Sequence, residues 1–264
     1  MLHFLGRVCR RVRDVYSDQG AYAVLNKGTA FFYREVIRKL IPVVGYAKKN
    51  GVLTKSEVRF FDAQVPLGFE PKGVVKKGAD FSIPLYEEAL SQGLRKYVKY
   101  GDRVVVVGGG WGVTGTIAAR QAGDKGNVLI FEGSEEMVSN TRTTLEINGM
   151  GRIAEVRHAI VGEEVSLAGD STGESAAYVD PKELPECDVL ELDCEGAEIT
   201  ILENMQVIPR VIMVESHGKY GSGTNDVKDV LRENGYNIKD VRIADSRRKE
   251  LCVEADIKVV TALQ

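Results

Sequence analysis

Residues Val104 to Gly115 read Val-Val-Val-Val-Gly-Gly-Gly-Trp-Gly-Val-Thr-Gly. Four β-branched apolar residues in a row specify a strand covered on both faces, because a strand with one wet face alternates instead. The glycines that follow turn the chain and, lacking Cβ atoms, let backbone N–H groups approach a ligand. Thr114 to Ala122 reads as a helix returning over the sheet. Strand, glycine turn and helix together form the opening unit of a nucleotide-type binding fold.

The next strand, Asn127 to Phe131, ends at Glu132, twenty residues past Gly112. An acid at the tip of a second strand is placed to accept hydrogen bonds from a ribose diol. The alternative is that Glu132 caps the helix beginning near Ser134, since acids favour helix starts. Further along, strands and helices keep alternating, which implies a parallel sheet. The pattern predicts strands at Glu155 to Ile160, Asp188 to Leu192 and Pro209 to Glu215. It predicts helices from Pro84 to Val98, Glu135 to Asn148, Ala197 to Asn204 and Asp226 to Asn234. Two final strands, Tyr236 to Ile243 and Ala255 to Leu263, come with no helix between them, and strands joined in that way pair antiparallel. Glu163 to Pro185, rich in Ser, Gly and acids, reads as a long loop of the kind that serves as a lid.

Ligands of open α/β sheets sit beyond the carboxyl ends of the strands. Those ends collect Gly108, Gly109, Gly110 and Gly112, then Glu132, then His158, Ala159 and Ile160. They also collect Asp193-Cys194-Glu195-Gly196-Ala197-Glu198, and finally Glu215 and His217. Clustered carboxylates need a cation, a hydroxyl or backbone donors to offset their repulsion. Glu195 and Glu198 have the plainer option of capping the helix that follows. Trp111, inside the turn, either stacks on a ligand or packs under the returning helix.

The bulk numbers exclude several classes. The 264-residue chain is 44% apolar, enough for a sizeable core, and its net charge of −3 makes no general case for nucleic acid. Cys9, Cys187, Cys194 and Cys252 show neither CxxC pairing nor zinc spacing, which suits reduced thiols in a cytoplasmic protein. No metal ligand set is read. No apolar run approaches the roughly 18 residues of a membrane span. Residues 1 to 50 carry ten Lys and Arg against three Asp and Glu, with Leu2, Leu5, Val8, Val12 and Val15 at helical spacing. Such a basic amphipathic arm lies on an anionic membrane surface, or packs on its own domain or a partner subunit.

From about Pro84 onward the chain resembles a class I S-adenosylmethionine-dependent methyltransferase, and more narrowly the FkbM family. The likeness rests on Gly108 to Gly112, on Phe131-Glu132 with the helix ending at Asn148-Gly149, on Leu192 to Glu198, and on Val214-Glu215-Ser216-His217. It covers about two thirds of the chain. It implies a Rossmann-like α/β fold with a mostly parallel seven-stranded sheet and an antiparallel last strand. Residues 1–80 would be a basic helical extension and 81–264 the cofactor domain. It implies S-adenosylmethionine held by Gly108, Gly109, Gly110 and Gly112, by Glu132, and by Ala159 and Ile160 beside the adenine. Asp193, Glu195 and His217 become the catalytic candidates, and the acceptor a hydroxyl, often of a sugar or glycan. One departure is that Val106 stands where such enzymes carry an acid. Two rivals remain. Gly110, Gly112 and Gly115 fit the G-x-G-x-x-G of an NAD-dependent oxidoreductase, though starting late in the turn, and a methyltransferase-like domain could bind without chemistry.

Overall fold

A computed structural model describes residues 86–162 and 176–264, together with the backbone of five short strands between residues 46 and 83. The chain divides into two units, residues 1–56 with 67–69, and residues 57–66 with 70–264. In the first, Tyr46–Lys49 pairs antiparallel with Val52–Lys55; the rest of the basic arm lies outside the described residues. In the second, Glu57–Phe60 joins Ala63–Pro66 and Ser82–Ile83 in a small three-stranded sheet. Strand backbone thus begins at Tyr46, inside the basic arm, and farther on Glu57–Phe60 falls where Val58 to Phe61 reads as strand-like.

The main sheet is built as the alternating pattern requires. Its elements are α1 (Glu88–Tyr97), β1 (Arg103–Val107), α2 (Val113–Ala122), β2 (Asn127–Glu132), α3 (Glu135–Ile147) and β3 (Ala154–Val161). Then come β4 (Ala177–Val179), β5 (Val189–Leu192), α4 (Glu198–Asn204), β6 (Val211–His217), α5 (Thr224–Glu233), β7 (Asn237–Ile243), α6 (Lys249–Glu254) and β8 (Ile257–Leu263). The order across the sheet is β7-β8-β6-β5-β1-β2-β3-β4. Every pair is parallel except the two that involve β8. The chain runs outward from β1 through β2 and β3, then returns to lay β5 on the other flank of β1. The β1/β5 junction is therefore the switch point where such sheets bind ligands.

Two expectations are corrected. The sheet has eight strands rather than seven, because Ala177–Val179 pairs with Ala159–Val161 inside the segment read as a loop. Three residues are too few to show a period of two. Residues 163–175 of that segment lie outside the described residues. Between the last two strands stand a 3₁₀ turn and the short α6, whose one buried residue, Cys252, leaves no helical pattern to read. The antiparallel pairing holds regardless.

The period of two sorts the strand side chains onto two faces. Val105, Val107, Phe131, Leu190, Leu192, Ile212 and Val214 pack with Ile201 and Leu202 of α4 and Val227 and Leu231 of α5. Fully burying each such side chain contributes about 1.5–3 kcal/mol, so this face alone gives the sheet a firm base. The opposite face carries Val104, Val106, Ile130, Glu191 and Met213. There α1 and α2 press close through glycines: a Cβ on Gly93 would lie 2.6 Å from Met213 Sδ, and one on Gly115 would lie 2.4 Å from Ile130 Cδ1. Among these apolar neighbours Glu191 is an anomaly, fully buried at 0% exposure.

Candidate active site

The glycine turn is fixed by close approach on both sides. Gly108 leaves β1 at φ +98°, and a Cβ there would lie 1.8 Å from the carbonyl oxygen of Asp193. Backbone from β1 thus touches backbone from β5, and no side chain fits between. Gly110, at φ +48°, donates its N–H to Glu132 Oε2 at 2.8 Å and accepts from Thr141 Oγ1 at 2.7 Å. Gly109 lies over Ile130, and Gly112 caps α2 against Thr141. Trp111 is buried at 8% exposure.

Glu132 is not the cap of α3. Ser134 is, accepting from Met137 N–H. The carboxylate instead accepts from Ser134 N–H at 2.7 Å and from Gly110 N–H, tying the end of β2 to the turn. Burial raises its pKa, and those backbone donors oppose the rise. A carboxylate offers about four acceptor positions, so Glu132 keeps capacity for a diol. Ala159 is buried on β3, and Ile160 lies against Gly133.

At the ends of β5 and β6 a second group assembles. His217, 6% exposed, donates Nδ1–H to Glu198 Oε1 at 2.9 Å. Glu198 is fully buried and also takes the N–H groups of Cys194, at 3.2 Å, and Gly196, at 2.8 Å. It therefore locks the turn before α4 and aims the imidazole, a different task from capping. Burial pushes Glu198 up, but the His217 hydrogen bond and charge outweigh it and hold the group below the usual range. His217 Nε2 faces Asp193 Oδ1 at 3.5 Å and Glu215 Oε1 at 3.7 Å. Burial would lower the imidazole pKa; the Glu198 bond and the Asp193 charge prevail and raise it. Burial lifts Asp193 to about 6, with His217 pulling down and Glu198, Glu195 and Glu132 pushing up. Glu215 is driven well above the carboxylate range by burial and then by Asp193 and Glu87. Glu195 sits exposed at the tip of the turn, at φ +55°.

Two acids of this neighbourhood escape sequence reasoning. Glu87, just before α1, approaches the glycine turn: its Oε1 would lie 3.9 Å from a Cβ on Gly110. Burial, then the Asp193 charge, lifts it to about 8. Glu191 lies level with Val106 of β1 and Met213 of β6, two residues before Asp193 and on the same face. Neither of its carboxyl oxygens has a hydrogen-bond partner. Burial, then Glu87 and Asp193, drives it well above the usual range; the Thr114 side chain, which approaches without forming a hydrogen bond of good geometry, works the other way. A charged letter inside Leu190-Glu191-Leu192 was the one available signal.

A hollow of about 590 Å³ opens elsewhere, lined in part by Arg103, Asn127, Arg152, Glu155, Arg157 and Glu186. It lies at the amino ends of the strands, the opposite edge from the one where such sheets bind ligands. Cys187, Cys194 and Cys252 are free thiols. No helix among the described residues is long and apolar enough to cross a membrane.

The strand order is that of a Rossmann-like sheet closed by one reversed strand, β8. This is the arrangement that the resemblance to class I methyltransferases implies. No protein-family model matches the chain, and no curated protein does. Solved structures are similar to it at low identity. M. jannaschii TYW2, in complex with AdoMet, is 12% identical over 79% of this chain and 84% of its own, with a TM-score of 0.47. Aeropyrum pernix fibrillarin, with natively bound S-adenosyl-L-methionine, is 16% identical over 81% and 91%, TM-score 0.45. A SAM-dependent O-methyltransferase from Thermotoga maritima is 14% identical over 84% and 85%, TM-score 0.44.

Proposed function

We propose that the chain is an S-adenosylmethionine-dependent methyltransferase of the FkbM type that methylates a hydroxyl, with a sugar or glycan as acceptor class. One observation carries the reading. The Cβ-free turn, the Glu132 carboxylate and the Asp193–His217–Glu198 group meet at the switch point of a sheet in which β8 alone among the described strands is reversed. That reversed strand also argues against the NAD-dependent alternative. It does so even though Gly115 provides the close helix–strand packing of a third fingerprint glycine.

The residues fit the cofactor chemically. Gly108 to Gly110 leave a cradle without side chains, Glu132 suits the ribose diol, and Asp193, with Glu87 once ionised, suits a cationic amino-acid end where Val106 offers none. Ala159 and Ile160 would flank the adenine. When bound, the cofactor supplies an electrophilic methyl group on a positive sulfur. This chain's task is placement and proton removal. Holding the reactants in line is worth roughly 7–11 kcal/mol. Glu198 fixes the ring of His217, whose Nε2 takes the acceptor's proton while Asp193 orients the hydroxyl; exposed Glu195 contacts the acceptor from the rim. Such a base is worth about 10²–10⁴-fold.

The test pairs calorimetric titration of S-adenosylhomocysteine with a turnover assay on cell glycans read by mass spectrometry. His217→Ala and Asp193→Ala should each lose about 10²–10⁴-fold in turnover and keep product affinity. A wild-type chain that binds no S-adenosylhomocysteine would remove the proposal. The same basic arm that lies outside the described residues favours a lipid-linked acceptor, in a cytoplasmic protein that touches the membrane face.

A further inference from the structure

We propose that Asp193, Glu215 and His217 form a binding site for one divalent cation of the Mn²⁺ or Mg²⁺ class. The three ligands come from two strand ends and show no motif spacing in the sequence. In the fold, one residue beyond the paired Leu192 and Val214, Asp193 and Glu215 stand side by side, and His217 follows Glu215 on the same face. One ligand atom from each lies within 4.8 Å of the other two. Oxygen and nitrogen ligands sit about 2.0–2.6 Å from such ions, so atoms sharing an ion lie roughly 3–5 Å apart. The observed separations fall in that interval.

The imidazole is also prepared as a ligand. Its Nδ1–H is committed to Glu198, so the lone pair of the neutral ring is on Nε2, the atom that faces both carboxylates. A carboxylate behind a histidine is the usual device for orienting a metal-bound imidazole. The ligand side chains of Asp193 and Glu215 are 22% and 14% exposed, so an ion can enter and keep open positions.

A separate observation points to the same place. Glu191, two residues before Asp193 and on the same face of the sheet, is fully buried with no well-formed hydrogen bond to either oxygen. Three carboxyls, those of Asp193, Glu198 and Glu215, crowd one histidine. A dipositive ion neutralises Asp193 and Glu215 together and leaves Glu198 paired with Nδ1–H. Two carboxylates and one imidazole suit hard or borderline divalent ions. In the methyl-transfer reading, the ion would lower the pKa of an acceptor hydroxyl in one of its open positions, so that the proton could pass to solvent water while Nε2 serves as a ligand instead of a base. The site itself does not depend on that reading.

The experiment titrates the purified full chain with Mn²⁺, without cofactor, and follows free ion by electron paramagnetic resonance. One equivalent should bind, and pulsed spectra of the bound ion should show ¹⁴N coupling from an imidazole. Asp193→Asn combined with Glu215→Gln should abolish binding, and His217→Ala should remove the ¹⁴N signal. Glu198→Gln should weaken affinity roughly 10–100-fold. Both carboxamide changes relieve repulsion, so thermal melts should show the double variant at least as stable as wild type. Should it fail to fold, Glu198→Gln and His217→Ala decide alone. The proposal is overturned if wild type binds Mn²⁺ no better than the double variant, or if bound Mn²⁺ shows no nitrogen coupling. That second result would leave His217 a charged partner of its carboxylates. Titration with S-adenosylhomocysteine, run separately, tests the methyl-transfer reading, so either can fail without the other.

Discussion

Replacing Glu191 by Met should make the metal-free protein more stable. Glu191 stands in the centre of the sheet between Val106 and Met213, fully buried and without a hydrogen bond to either oxygen. Leaving a buried polar group unsatisfied costs about 1–3 kcal/mol. Methionine has a similar length and adapts to irregular space, so little is lost in packing. For a chain of this size 1 kcal/mol moves Tm by roughly 2–4 °C, which predicts a rise of about 2–12 °C. The sign of the pH dependence follows from the raised carboxyl. As pH climbs past the ordinary carboxylate range, the unfolded chain releases the Glu191 proton and the fold holds it. Native protein then binds more protons than unfolded, and stability falls with pH. The gain from Glu191→Met should therefore be small near pH 5 and larger near pH 8. Calorimetric melts in chelator at both values measure it. A Tm that drops, or a gain equal at the two pH values, refutes the account of Glu191 as a strained acid. If the acid is kept for the cation, the stabler variant should also bind Mn²⁺ more weakly, a familiar trade of function against stability.

Other outcomes follow from single contacts. Gly108→Ala places a methyl group 1.8 Å from the Asp193 carbonyl oxygen at a left-handed φ; the conformation alone costs about 1–2 kcal/mol, so thermal melts should show marked loss and S-adenosylhomocysteine binding should vanish. Glu87 is held at about 8 instead of 4.5, so it removes up to ~1.4 kcal/mol of stability per pH unit across that interval. Glu87→Gln should flatten that fall in urea melts, and an unchanged slope would count against it. Tyr236 donates its hydroxyl to Pro209 O at 2.9 Å within the core, and Tyr236→Phe should cost about 1 kcal/mol in urea denaturation with the slope unaltered.

Much of this architecture was legible from the amino-acid string because the relevant signals are local. The valine run, the glycines and the helix that follows fix β1 and α2 within about ten residues. An acid at a strand tip can be placed before its partners are known, which is why Glu132 and Asp193 emerge. What stays hidden depends on register. That Glu191 shares a face with Asp193 follows from a period of two, but that this face lies under α1 and beside Val106 is a fact about neighbouring strands. Glu87 looks like any acid at a helix start. His217 was visible only as a histidine after a strand; its ring is given direction by Glu198, nineteen residues earlier. The strand at Ala177–Val179 is too short to announce itself.

The contact between Gly108 and the carbonyl of residue 193 joins main chain to main chain. The spacing of that seam is consequently indifferent to which side chain residue 193 bears. Reactive groups there are interchangeable parts mounted on an invariant hinge pin. A carboxylate could give way to an amide or a thiol without reshaping the cleft, so this edge offers a place to graft new reactions while the scaffold stays as it is.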